Sequence, residues 1–199
     1  MKLIAAALVT AVTVLLGGCA TAVQPVSAVE RAHIRTLLMN DQWAPLAIQY
    51  PEAIRPVVPV MHTVADHDWA LDVVSCLRAR GYIAQVTGDG FSYDAYTGET
   101  ALEFSVEGYI CTANFAKQSD VFARLSADQQ AAFDSFELTQ VQPCLRLAGA
   151  TTTSAPAVHL TGLAGWSPYD EVWKHSSARE IRYLEQRCPP IPSWMNLDN

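Results

Sequence analysis

Two histidines and two aspartates lie close together in this 199-residue chain: His62, Asp66, His67 and Asp68. Imidazole nitrogens and carboxylate oxygens are zinc ligands, and a histidine oriented by a carboxylate can act as a general base. The alternative is structural, because acidic residues in the first turn of a helix complement its dipole, and His62 would then belong to a strand. We favour the structural interpretation and predict no catalytic residue, no metal site and no cofactor.

Three further carboxylates, Asp89, Asp94 and Glu99, raise the question of calcium. Their spacing does not match an EF-hand loop, so we interpret them as hairpin and helix-start residues. The sequence also lacks the GxSxG, HExxH, P-loop and dinucleotide-binding motifs.

Cys19 indicates a different chemistry, because it closes the run LGGC at residues 16–19. Lys2 supplies a positive n-region, and residues 3–16 form an apolar h-region of the length that a secretory signal needs. This pattern is a lipobox, in which the Cys19 thiol takes a diacylglyceryl group before cleavage makes it the new N-terminus. Two acyl chains are enough for firm attachment to a membrane.

Two alternatives to the lipobox remain open. Residues 3–29 carry no charge, so the segment is also compatible with an uncleaved membrane anchor. A plain secretory signal cut near Gly18 is the other. The small pair Gly17-Gly18 favours cleavage and acylation, so we predict a signal peptide over residues 1–18 and a lipid anchor on the extracytoplasmic face of the cell membrane.

The charge of the mature chain limits its partners. The formal net charge is −7, and removing Lys2 with the signal makes it −7 − 1 = −8. Such acidity argues against nucleic acid and against direct docking on anionic lipid. Residues 19–26 form a short tether, residues 27–188 are long enough for one domain, and residues 189–199 form a Pro-rich tail.

Four cysteines follow the lipobox: Cys76, Cys111, Cys144 and Cys188. An even number in an exported chain predicts two disulfides, although buried free thiols are an alternative. Zinc is less favoured, because no two of these cysteines have C-x2–4-C spacing.

An internal repeat bears on the pairing. The segments CLRARG at 76–81 and CLRLAG at 144–149 each place a cysteine near a helix end, before a glycine suited to the C′ position. Each is followed by one more cysteine, so the simplest pairing is Cys76–Cys111 and Cys144–Cys188. The other two connectivities stay open at this point.

Helix signals recur along the chain. Capping boxes are predicted at Ser27, Thr100 and Ser126, and a proline follows the predicted cap Ser167. We expect the first helix to end near residue 40, a helix capped by Asp66 to end before residue 81, and Pro143 to kink or break its helix.

Strand signals are fewer. Residues 57–64 are rich in β-branched side chains, but Pro59 confines them to an edge or bulge. Residues 82–86 and 91–93 flank Asp89-Gly90, a hairpin turn signal. We therefore predict an α+β domain with about five helices and a small antiparallel sheet.

Tryptophans raise the possibility of a binding groove for sugar or peptide, since aromatic rings supply contact area and stacking faces. We expect Trp69 and Trp173 to pack in the core and Trp194 to lie exposed or fold back onto the domain; Trp43 and Trp166 complete the set. Two tryptophans sharing one concave surface would favour the groove.

Several short segments occur in a recognisable order: QYPEAIRP at 49–56, DW at 68–69, CLRARGY at 76–82, PCL at 143–145 and WSPYD at 166–170. This order resembles that of uncharacterised lipoproteins of high-GC actinobacteria. Residues 149–156 depart from it, because such chains usually have a proline-rich loop there. The resemblance implies a cell-surface lipoprotein with two disulfides and implies no activity.

These observations predict a binding or envelope-interaction module rather than an enzyme. The alternative function is a small cell-envelope hydrolase that uses His62, Asp66 and His67.

Overall fold

A computed structural model describes residues 26–88, 90–155 and 166–198. Its elements follow in the order α1 (Ala28–Gln49), β1 (His62–Val64), α2 (Asp66–Ala79), β2 (Ala84–Thr87), β3 (Gly90–Tyr93), α3 (Glu99–Ala113), β4 (Phe115–Lys117), α4 (Gln118–Phe122), α5 (Ala127–Phe136), a π-helical turn (Glu137–Val141), α6 (Gln142–Leu147), α7 (Asp170–His175), α8 (Ala178–Arg187) and a 3-10 turn (Ser193–Met195). The predicted signal peptide, Cys19, Asp89 and the side chain of Glu99 lie outside the described part.

The predicted α+β class is confirmed. Five of the described helices, α1, α2, α3, α5 and α8, have ten residues or more. Strands β2 and β3 form the expected antiparallel hairpin. Gly90, predicted as part of the turn, instead pairs with Thr87 within the ladder, and Gly88 takes a positive φ of +58°.

A second sheet differs from expectation, because it is a parallel pair. β1 pairs with β4, with His62 opposite Phe115 and Val64 opposite Lys117. Of the strand predicted over residues 57–64, only residues 62–64 pair with a neighbouring strand. The segment around Pro59 instead leaves Val57 89% exposed and buries Met61 completely.

Both predicted disulfides are present. Cys76 bonds Cys111, which joins α2 to α3. Cys144 bonds Cys188, which joins α6 to the end of α8.

The repeated cysteine segment ends both of its helices in the same way. Gly81 and Gly149 take φ values of +88° and +83°. The amide after each glycine donates to a carbonyl five residues back, that of Leu77 at 3.1 Å or Leu145 at 2.9 Å. These are Schellman ends, as the glycine positions predicted.

Helix starts follow the predictions in part. The capping boxes at Ser27 and Ser126 are confirmed. The one at Thr100 is wrong: α3 begins after Gly98, and the Thr100 hydroxyl donates to the Thr97 carbonyl. Asp66 is not a cap either, because Ala65 holds that position.

Two helix boundaries also differ from the predictions. α1 continues past residue 40 to Gln49 and contains Pro45. It ends just before Tyr50, because Pro51 disfavours the helical conformation at the residue that precedes it. α7 begins at Asp170, three residues after the predicted cap Ser167.

Pro143 is accommodated by a change of helical pitch. The chain passes from α5 through the π turn at 137–141 into α6, where Pro143 lies in the first turn. At that position a missing N–H costs little, and the wider turn avoids a break.

The C-terminal segment belongs to the core. Met195 and Leu197 are buried in one cluster with Ile34, Leu38 and Met61, and Trp194 folds back against it. None of the described helices is both long and apolar enough to cross a bilayer.

Candidate functional site

A cleft of about 350 Å³ lies where α2, α4, α5, the π turn and the segment leading into α7 meet. Its walls combine four carboxyl groups, four aromatic rings and three neutral polar side chains: Asp66, Gln118, Ser119, Phe122, Phe133, Asp134, Glu137, Trp166, Ser167, Asp170 and Trp173. Among these residues there is no lysine, arginine or histidine. A ligand with a net negative charge is therefore disfavoured.

Two tryptophans, Trp166 and Trp173, line this one concave surface. Trp173 is fixed from two sides, since its ring stacks on Tyr169 at 5.5 Å and contacts the His67 ring at 4.4 Å. The indole nitrogen of Trp166 is buried and has no hydrogen-bond partner in the described part of the chain.

Glu137 is the most deeply buried carboxyl of the cleft, with 2% of the residue exposed. Its Oε1 accepts a hydrogen bond from the Ser167 hydroxyl at 3.2 Å. Burial raises the pKa of Glu137 to about 8, which outweighs the lowering by that hydrogen bond, while Asp134 and Asp170 raise it further. Glu137 is therefore mainly protonated at neutral pH and carries one O–H donor.

A compact turn positions the opposite wall. The Ser167 amide donates to Asp170 Oδ2 at 3.1 Å, and the Tyr169 amide donates to Ser167 Oγ at 3.3 Å. The Tyr169 hydroxyl in turn donates to the Cys188 carbonyl at 2.6 Å. The Cys144–Cys188 bridge thereby supports the turn that carries Ser167.

The three residues of the predicted hydrolase cluster have separate surroundings. His62 Nδ1 lies 2.7 Å from Asp198 Oδ2, at the C-terminal segment. Asp66 accepts the Ser119 amide at 3.0 Å and lines the cleft. His67 Nε2 lies near Asp68 and Glu185 instead. Successive helical residues point about 100° apart, and His62 stands on a strand, so proximity in sequence does not bring these groups together.

His67, Asp68 and Glu185 form a second cluster, behind Trp173. His67 Nε2 lies 3.0 Å from Glu185 Oε1 and 3.3 Å from Asp68 Oδ1. Burial raises the pKa of Asp68, against the lowering effect of His67. Glu185 comes from α8, so the sequence cluster at 62–68 contained only two of the three groups.

The remaining tryptophans lie away from the cleft. Trp43 packs edge-on against Tyr109 at 4.9 Å. Trp69 donates to the Phe115 carbonyl at 3.2 Å, with the Lys117 ammonium 4.4 Å from its ring. Asp94, considered for calcium, is exposed.

Sequence reasoning missed Glu137, the central group of the cleft. The local signal was Pro143, six residues later, which predicted a kink or break in the helix that follows Glu137. The irregularity takes the form of a π turn, a feature that is frequent at functional sites.

Comparisons of the chain with protein-family models, with curated proteins and with solved structures found no match.

Proposed function

We propose that this chain is a lipid-anchored protein of the extracytoplasmic face of the cell membrane, and that it binds a saccharide in the Trp166/Trp173 cleft. The observation that carries the proposal is the meeting of two tryptophans with carboxyl and hydroxyl groups in one concavity. Aromatic faces contact the apolar faces of sugar rings, and carboxylates accept hydrogen bonds from sugar hydroxyls.

The proposed location at the extracytoplasmic face of the membrane rests on the sequence and on the disulfides. The LGGC run at 16–19 supplies the anchoring signal, and Cys76–Cys111 and Cys144–Cys188 are bridges of a kind that persists in oxidising compartments. Labelled fatty acid should be incorporated at Cys19, and Cys19→Ala should release the chain from the membrane fraction or leave it unprocessed. A wild-type chain that stays membrane-bound without label would contradict lipid anchoring.

The charge of the cleft sets the kind of saccharide. Four carboxyl groups, with no cation among the described lining residues, favour a neutral or amine-bearing sugar over an acidic one. Glu137, protonated at neutral pH, adds a donor deep in the cleft. A nucleic acid is disfavoured as a partner at this cleft, because its phosphates would face four carboxyl groups and no cation among the described lining residues.

Binding can be measured by calorimetry with three oligosaccharides of equal length: N-acetylglucosamine (neutral), glucosamine (cationic) and galacturonate (anionic). We expect the neutral and cationic chains to bind and the anionic chain to bind least. Trp166→Ala should weaken binding at least about ten-fold, which corresponds to the loss of one well-placed aromatic contact.

Trp43→Ala is the matched control, because Trp43 packs against Tyr109 away from the cleft. Equal losses in both variants would contradict binding at the cleft. Binding of a simple polyamine such as spermidine, without any sugar, would show that the ligand class is an organic cation instead.

A small cell-envelope hydrolase is the second candidate, and one observation favours it. A buried carboxylic acid whose pKa is raised toward 8, near other carboxylates, has the properties of a general acid. In this form the hypothesis centres on Glu137 instead of on His62, Asp66 and His67. Hydrolysis of cell-wall polysaccharides that is lost in Glu137→Gln and retained in His67→Ala would favour it over simple binding.

A further inference from the structure

The cluster of His67, Asp68 and Glu185 brings three possible metal ligands together from two helices, beside the Trp173 ring. His67 and Asp68 stand in the first turn of α2, and Glu185 stands near the end of α8. One ligand atom from each lies within 4.8 Å of the other two. The function proposed above does not use this cluster.

We propose that His67, Asp68 and Glu185 form a binding site for a divalent transition-metal ion of the zinc type. An imidazole with two carboxylates is a donor set that such ions accept. Nothing in this inference depends on a ligand in the cleft.

The two distances from the His67 imidazole to the carboxylates fit one central ion, and the two carboxylate oxygens lie within 4.8 Å of each other. Tetrahedral zinc with bonds of about 2.0–2.1 Å places its ligand atoms about 3.3 Å apart. The two distances from His67 Nε2, 3.0 Å to Glu185 and 3.3 Å to Asp68, are close to that value. Three protein ligands would leave a fourth position for water.

The burial of the His67 imidazole and its unsatisfied ring nitrogens also favour a bound metal ion. Three quarters of the His67 side chain is covered, and both ring nitrogens are shut off from solvent. Neither nitrogen has a hydrogen-bond partner of acceptable geometry among the described residues, despite the two carboxylates nearby. A buried polar atom without a partner is costly, and a metal ion on Nε2 would satisfy it.

An outer contact supports one of the ligands. The indole N–H of Trp173 donates to Glu185 Oε1 at 3.5 Å, and the His67 ring lies against the Trp173 ring. Metal-binding carboxylates are commonly held by such hydrogen bonds. Trp173 fluorescence therefore offers an optical signal for occupancy.

Zinc titration of the full chain in detergent, followed by calorimetry and by tryptophan fluorescence, tests the site. We expect one zinc ion per chain, removable by a chelator. His67→Phe keeps a ring against Trp173, and Glu185→Gln keeps the acceptor for its indole. Each should weaken zinc binding at least about ten-fold.

His175→Gln is the control, because the exposed His175 lies 3.3 Å from Glu171 and this pair offers zinc an alternative. This variant should bind zinc as the wild type does. The proposal is overturned if the wild type binds no zinc, if either His67→Phe or Glu185→Gln retains wild-type affinity, or if the loss follows His175→Gln instead. Thermal unfolding of each variant without zinc establishes that it is folded.

Discussion

Glu137 combines near-complete burial with a carboxyl group, and an ionised carboxylate at that depth is costly without a paired cation. The Ser167 hydroxyl offers one hydrogen bond, and the neighbouring Asp134 and Asp170 oppose ionisation. The folded chain therefore keeps a proton on Glu137 up to about pH 8. The unfolded chain releases it near the ordinary glutamate pKa of about 4.5.

The first prediction follows from this difference in proton binding. Between about pH 4.5 and about pH 8 the folded state holds more protons at this site than the unfolded state. The free energy of unfolding should therefore fall as pH rises through that window and level off above it. Urea unfolding at a series of pH values should show this slope in the wild type and a reduced slope in Glu137→Gln.

Glu52→Gln serves as its control, because Glu52 is exposed. It should leave the slope unchanged. A Glu137→Gln profile parallel to that of the wild type would contradict the assigned protonation of Glu137.

Among the elements, α2 and α6 end in the same Schellman motif, and each carries its disulfide cysteine one position before the carbonyl that closes the motif. Gly81 has a positive φ, which residues other than glycine rarely adopt, while an added Cβ there would meet nothing within 4 Å. A side chain at Gly81 would therefore act through backbone conformation alone.

Gly81→Ala should lower the free energy of unfolding by about 1–2 kcal/mol, the cost of placing alanine in the left-handed region. Gly108, inside α3, also has open space around an added Cβ, and its φ is not positive. Gly108→Ala should therefore stabilise the chain, by up to about 1 kcal/mol. Chemical denaturation measures both, and a shift in the same direction for the two variants would contradict this account.

Apart from the two disulfides, whose pairing the repeated cysteine segment indicated, the sequence predicted features that depend on neighbouring residues and missed those that depend on distant ones. The Schellman glycines, the Ser27 and Ser126 capping boxes and the hairpin are local, and each was predicted from a few adjacent residues. The parallel pairing of His62 with Phe115 requires two segments far apart in the chain, and no local pattern announces it.

The same distinction between local and long-range features applies to the candidate site. The sequence raised the tryptophans as groove candidates but assigned Trp173 to the core, and only tertiary packing brings Trp166, Trp173 and Glu137 to one cleft. Conversely, His62, Asp66 and His67 are close in sequence, but each side chain has different partners. A strand-to-helix junction disperses side chains that a sequence window groups together.

For the molecule as a whole, the C-terminal segment links elements that are far apart in the sequence. Met195 is completely buried beside Ile34 and Leu38 of α1, and the Thr63 hydroxyl donates to the Met195 carbonyl at 2.9 Å. The last described residues thus join the first helix to the β1 strand. The Cys144–Cys188 bridge lies just before this segment, so the segment is held both covalently and by burial.

These two attachments can be separated. Replacing both Cys144 and Cys188 by serine should cost about 2–5 kcal/mol of stability. Residues 193–198 should nevertheless stay protected, because burial of Met195 and Leu197 contributes roughly 1.5–3 kcal/mol for each side chain.

The double variant Met195→Ala/Leu197→Ala should instead free the segment while its bridge stays intact. Native digestion with a carboxypeptidase, read by mass spectrometry, should trim the alanine variant and spare the serine variant. Trimming of the serine variant alone would show that the bridge, and not burial, holds the C-terminal segment in place.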